Sequence, residues 1–214
     1  MLIEFWLDLV CPYSYIGRRH LEAALGRFSQ RDAVEVILRS FELDPDAPRN
    51  TRQTLPESLM ARTGESSEDV EAMLARITAK ATEAGLSFRL HSALPTNTHD
   101  AHRLLYLAAE QGFQLQAAER LQAAYFCEGE AIGEPETLVR LLAEIGMDPA
   151  SVRKTLDYET FSHEVSADEY EARNMGVTGT PFVMLDGKIT LAGALSPEIY
   201  LEALERAWFE RENP

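Results

Sequence analysis

Residues 2–9 are apolar almost without a break, interrupted by Glu4 and Asp8. A run of this length without alternation predicts a strand buried on both faces of a sheet. Residues 12–29 switch to a helical period. Ile16, Leu21, Leu25 and Phe28 share one stripe, and Pro12 sits in the first turn, where its missing N–H costs little. Residues 33–43 alternate, Val34, Val36 and Leu38 against Glu35 and Arg39, and predict a second strand. Strand, helix and strand within about 40 residues make a βαβ unit, which implies a parallel pair.

The pattern then changes. Asp44-Pro45-Asp46-Ala47-Pro48-Arg49-Asn50 reads as a turn-rich linker. From residue 55 to residue 175 the period is helical throughout. Helices are predicted over 56–63, 67–85, 98–112, 115–127, 135–145, 149–156 and 161–175. Ser67 ahead of Glu68 and Asp69 marks a helix start, and Gly85 and Gly146 mark stops. Asn97 or Thr98 can cap the helix that carries His99, Asp100 and His102.

The C-terminal part returns to β character. Phe182–Leu185 and Lys188–Leu191 flank Asp186-Gly187, and an Asp-Gly pair between apolar runs is a strong hairpin signal. Ser196 caps a last helix with Pro197 at its first position, and Ile199, Ala203, Leu204, Ala207 and Trp208 form its buried stripe. The order βαβ, helical block, ββα predicts an α/β domain from residues 1–50 and 176–214, with residues 51–175 as a helical insertion.

Composition narrows the function. The 20 basic and 35 acidic residues give a net charge of -15. That argues against nucleic-acid backbones, which need clustered Lys and Arg, and against anionic membrane surfaces. No apolar run reaches the length of a membrane span, and Met1–Trp6 lacks the basic start of a secretory signal. The expected location is the cytoplasm, where Cys11 and Cys127, the two cysteines, are expected as thiols rather than a disulfide.

The candidate chemistry lies at Cys11-Pro12-Tyr13-Ser14, where the first strand gives way to the first helix. Unpaired N–H groups at a helix N-terminus favour a thiolate, so a depressed pKa is expected. The spacing has the shape of a thioredoxin-type Cys-x-x-Cys with Ser14 in the fourth position. A serine cannot resolve a mixed disulfide. Its hydroxyl can donate to the thiolate across the first turn, or it can be an ordinary first-turn serine. Trp6, Tyr13, Tyr15 and Phe182 can line an apolar pocket around the thiol, but aromatic residues at a strand end are more often plain core, and Tyr13 alone, inside the motif, is expected as a surface contact. His99 and His102 are three residues apart with no third ligand near, so no metal site is expected. Cys127 closes an apolar helix end and reads as a helix–helix contact, or as a distant resolving thiol.

Four stretches together resemble a known family: Cys11–Gly17, Asn97–Arg103, Gly176–Phe182 and Gly193–Glu198. The chain looks like the DsbA-like thioredoxin-fold family in its cytoplasmic, FrnE-type branch, beside the kappa-class glutathione transferases and the 2-hydroxychromene-2-carboxylate isomerases. FrnE-type proteins usually carry Cys-Pro-Trp-Cys, and the transferases and isomerases Ser-Pro-Tyr-Ser. This chain has the cysteine of one and the Pro-Tyr-Ser of the other. The resemblance implies a thioredoxin fold with a helical insertion. Cys11 and Ser14 would be catalytic, and Pro12, Tyr13, Thr180, Pro181 and His102 would contact substrate or glutathione. Taken alone, Thr180-Pro181 reads as trans and His102 as a packed histidine. The resemblance implies a cis bond facing the cysteine, and for His102 a place along the cleft.

The activity expected is that of a monothiol thiol–disulfide oxidoreductase using glutathione or another external thiol on small or protein disulfides. A glutathione-dependent transferase or isomerase is the alternative, and a redox-degenerate binding protein a third. Relatives often pair, which leaves a homodimer open.

Overall fold

A computed structural model describes residues 1–213. In chain order the elements are β1 (Leu2–Leu7), α1 (Pro12–Arg27), β2 (Glu35–Ser40), α2 (Leu55–Thr63), α3 (Ser67–Glu83), α4 (His99–Glu110), α5 (Gln114–Ala123), α6 (Pro135–Glu144), α7 (Pro149–Asp157), α8 (Ser162–Asn174), β3 (Phe182–Leu185), β4 (Ile189–Ala192) and α9 (Pro197–Glu212). Each predicted element is present, with ends shifted by a few residues. The chain divides into a sheet unit, Met1–Leu43 with Ala167 onward, and a helical unit, Asp44–Ser166.

In the sheet unit the strand order is β2-β1-β3-β4. β1 runs parallel to β2, with Phe5 opposite Leu38, and antiparallel to β3, with Phe5 opposite Val183. β1 is central, so both its faces are covered, and Ile3, Phe5, Trp6 and Leu7 are fully buried. Asp186 and Gly187 both take positive φ, 47° and 67°, so the turn into β4 has the twist that a tight hairpin needs. β4 pairs antiparallel with β3, Val183 opposite Leu191. α1 packs along α9, where the rings of Phe28 and Trp208 meet edge to face at 6.1 Å.

The division between the units differs from the one the sequence suggests at residues 50 and 176. The sheet unit ends at Leu43 and resumes at Ala167, inside α8. The cause is polar. The Asp168 carboxylate accepts the Ser40 N–H at 2.8 Å and an Arg39 N–H at 3.1 Å, and its carbonyl accepts the Trp6 indole N–H at 3.2 Å. Glu169 accepts the Glu42 N–H at 2.8 Å. Arg39 also reaches Glu4 at 2.6 Å. Ala172 then packs with Trp6, Phe41, Val177 and Met184. The second half of α8 is therefore bound to the end of β2 and closes one face of the sheet.

In the helical unit, Phe88 stacks on Phe126 with ring centroids 4.6 Å apart. The buried Arg103 donates to Asp100 at 2.7 Å and to the Thr160 carbonyl at 2.9 Å, and Asp100 also meets Arg49 at 3.2 Å. The helix expected to run to residue 127 leaves α-geometry at Ala123 and finishes as a π-turn, Ala124–Glu128, closed by Gly129.

Candidate active site

Asp8 follows β1 and is 1% exposed. Its carbonyl accepts the Cys11 N–H at 3.1 Å, and its carboxylate accepts Val10 N–H at 3.3 Å and Leu43 N–H at 2.8 Å. This brace turns the chain from the strand into α1. Cys11 is the N-cap of α1 with extended backbone angles, and Pro12 opens the helix. The Cys11 carbonyl accepts the Ser14 and Tyr15 N–H groups at 3.1 and 3.4 Å. The thiol thus stands at the free N–H end of a regular helix.

Opposite it lies Thr180-Pro181, whose peptide bond is cis. The Cys11 thiol donates to the Thr180 carbonyl with an S–O distance of 3.4 Å. Ser14 is fully buried. The hydroxyls of Ser14 and Thr180 are both buried and meet full hydrogen-bond geometry with no partner. Each nevertheless lies close enough to the sulfur to favour its charged form. Gly17, one turn further on, allows Pro181 to pack against α1: a Cβ there would sit 2.9 Å from Pro181 Cγ.

The depressed thiol pKa expected from the helix terminus does not survive burial. Cys11 is 4% exposed, and removal from water pushes its pKa above the ordinary value. The nearby polar groups of Thr180 and Ser14 pull it down, and the Asp8 carboxylate adds to the rise. Burial wins because the thiolate loses its water before any substrate arrives.

Cys11, Pro12, Tyr13, Ser14, Thr180 and Pro181 therefore come together in the sheet unit. Tyr13 is 37% exposed and presents its ring at the surface. His102 belongs to the helical unit, fully buried on α4, where its backbone N–H donates to the Thr98 carbonyl at 2.9 Å. His99 Nε2 contacts the Ser162 hydroxyl at 3.3 Å. Cys127, half-buried in the π-turn, also lies in the helical unit, and both cysteines are thiols.

Sequence reasoning passed over Asp8 and Gly17. A charged residue ending a continuous apolar run and a glycine inside a helical stripe were the available signals. Asn97, Asp100 and Arg103, quoted above for a resemblance, hold the helical unit together: Asn97 donates to the Pro45 carbonyl at 2.9 Å and caps the His99 N–H at 3.0 Å.

The profile of the DSBA-like thioredoxin domain matches residues 2–205. A probable DsbA oxidoreductase from Streptomyces coelicolor is 37% identical, with a TM-score of 0.93 over 98% of this chain and 91% of that one. A 2-hydroxychromene-2-carboxylate isomerase has a TM-score of 0.70 at 15% identity, over 100% of this chain and 98% of that one. The cytosolic disulfide reductase DsbM from Pseudomonas aeruginosa, solved with GSH, has a TM-score of 0.65 at 18% identity, over 96% and 98%. The last two show the shared fold.

Proposed function

The chain belongs to the DSBA-like thioredoxin domain family, and we propose that it is a thiol–disulfide oxidoreductase working through Cys11 alone. An external thiol, glutathione in this reading, completes the cycle. The observation that carries the proposal is the contact of the Cys11 thiol with the carbonyl of Thr180, ahead of a cis-proline, with Ser14 standing where a second thiol would resolve.

In the proposed cycle the Cys11 thiolate attacks a disulfide R–S–S–R′. The Cys11–S–S–R bond forms, the S–S bond breaks, and R′–S⁻ leaves and takes a proton. A first glutathione thiolate displaces R–S⁻ and leaves Cys11 as a mixed disulfide with glutathione. A second displaces Cys11, giving glutathione disulfide and the starting thiol. The net change reduces one disulfide and oxidises two thiols. The buried Ser14 and Thr180 hydroxyls are donors that a thiolate at this place can use. Backbone groups of Thr180 lie where an extended peptide can pair. Tyr13 offers an apolar contact beside the thiol. The similar DsbM is described as cytosolic, and a reducing compartment suits a cycle that consumes thiols.

Intact mass spectrometry after mixing with oxidised glutathione tests this, wild type against Cys11→Ser. The expected result is one glutathione bound through a reducible bond in the wild type and none in the variant. Glutathione retained non-covalently by both proteins overturns the monothiol cycle in favour of a transferase or isomerase. No adduct and no retention overturns both and leaves a binding protein.

A further inference from the structure

The loop between β4 and α9 is held from two sides. His20, on α1 and about two helical turns from its start, meets the Leu195 carbonyl at 2.7 Å through Nδ1. A carbonyl can only accept, so Nδ1 carries the proton, and protonation at Nε2 leaves the bond intact. The buried Tyr200 hydroxyl donates to the Gly193 carbonyl at 3.3 Å, and burial pushes its ionisation upward, so it remains a donor. Leu195 N–H closes back on the same carbonyl at 3.0 Å. Gly193 takes a φ of 85°, a conformation that favours glycine. Its N–H then donates to the Pro181 carbonyl at 2.8 Å. Pro181 follows Thr180, whose own carbonyl accepts the Cys11 thiol.

The same helix thus carries the thiol at its N-cap and, further along, the anchor of the loop that holds the docking segment. We propose that His20 is a positioning residue: through Leu195 and Gly193 it fixes Thr180-Pro181 at a set place relative to Cys11, and so presents the Thr180 backbone in order to a peptide disulfide. This rests on the oxidoreductase reading above. Without the His20 bond, the segment must be ordered when substrate binds, and the cost falls on binding rather than on the chemical step.

The test uses a short peptide glutathionylated on its one cysteine, with glutathione in excess and glutathione disulfide as the readout. His20→Ala is expected to raise KM about three- to tenfold, the range of one net hydrogen bond, with kcat within about twofold. His20→Asn puts an amide N–H near the place of Nδ1 and is expected to restore KM. Alkylation of Cys11 by iodoacetamide, which needs no docking, is expected at the wild-type rate in both variants. An unchanged KM in His20→Ala, equal damage in both variants, or slowed alkylation overturns the positioning role. The oxidoreductase reading fails separately, if the wild type shows no turnover that Cys11→Ser abolishes.

Discussion

Replacing Gly17 by Ala adds one methyl where α1 meets the cis-proline. An ideal Cβ would lie 2.9 Å from Pro181 Cγ and 3.4 Å from both Ala194 Cα and the Tyr200 hydroxyl oxygen. Carbon atoms are most stable about 3.5–4.0 Å apart, so the first contact is repulsive. Pro181 is buried with its carbonyl tied to Gly193, and Ala194 presents backbone, so neither gives way freely. Overpacking of this kind costs ~1–3 kcal/mol. The gain of Ala over Gly in a helix interior, about 1 kcal/mol, opposes it. Gly26 separates the two effects. It lies in the same helix, is exposed, and a Cβ there meets nothing within 4 Å. Gly26→Ala keeps the propensity gain, reduced near the helix end, and has no clash. Urea unfolding monitored by circular dichroism should place Gly26→Ala at or above the wild-type stability. Gly17→Ala should fall about 1–3 kcal/mol below Gly26→Ala, with the m-value unchanged in both. Because the propensity gain nearly cancels between them, the difference reports the contact with Pro181. Equal stability of the two variants would refute the claim that Gly17 is there to let the cis-proline approach α1.

Three further predictions concern buried titratable groups. In a Cys127→Ser background, alkylation of Cys11 as a function of pH should reach half its limiting rate above the ~8.5 of a free cysteine. Asp8→Asn should lower that point by removing the like charge, and Ser14→Ala should raise it by removing a donor. The linkage has a definite sign. A thiol whose folded pKa is raised holds its proton longer in the folded state, so it contributes stability below the unfolded pKa that is lost as pH rises through the folded one. Cys11→Ser should remove that alkaline loss in unfolding measured across this range. Separately, Asp168→Ala should cost about 2–4 kcal/mol in urea unfolding, since it strands the Ser40 N–H and one side of Arg39. That is less than the ~3–5 kcal/mol of a fully buried pair because Arg39 keeps Glu4 and is 28% exposed.

Elements that depend on local signals could be read from the sequence. The capped helix at Ser196, the Asp186-Gly187 hairpin and the uninterrupted β1 each announce themselves within a few residues. The limits of the sheet unit could not be read that way. α8 buries Val165, Asp168, Glu169 and Ala172, a regular i, i+3, i+4, i+7 stripe. Two of those four are carboxylates, so a search for apolar periodicity sees a solvated helix. What makes them core residues is the pair of N–H groups at Ser40 and Glu42, more than 120 positions earlier in the chain.

The thiol shows the same limit in its chemistry. Cys11, Pro12 and Ser14 are adjacent, and their arrangement at a helix start followed from spacing alone. Their electrostatics did not, because two long-range facts decide it: β3 and its preceding Thr180 close over the sulfur, and Leu43 anchors the Asp8 carboxylate beneath it. A helix N-terminus contributes about 0.3–1 kcal/mol at an exposed site. Removing a thiolate from water costs more than that, and a neighbouring carboxylate adds to it. The net direction is upward. The monothiol cycle therefore requires that substrate binding supply what the resting site withholds. The backbone N–H of a peptide disulfide docked on Thr180 takes over the carbonyl that now accepts the thiol proton. The Ser14 and Thr180 hydroxyls are left to serve the charged sulfur. On this argument Cys11 is activated by its substrate, so its reactivity toward a docking peptide disulfide should exceed its reactivity toward a non-docking alkylating agent by more than the two reagents differ on free cysteine.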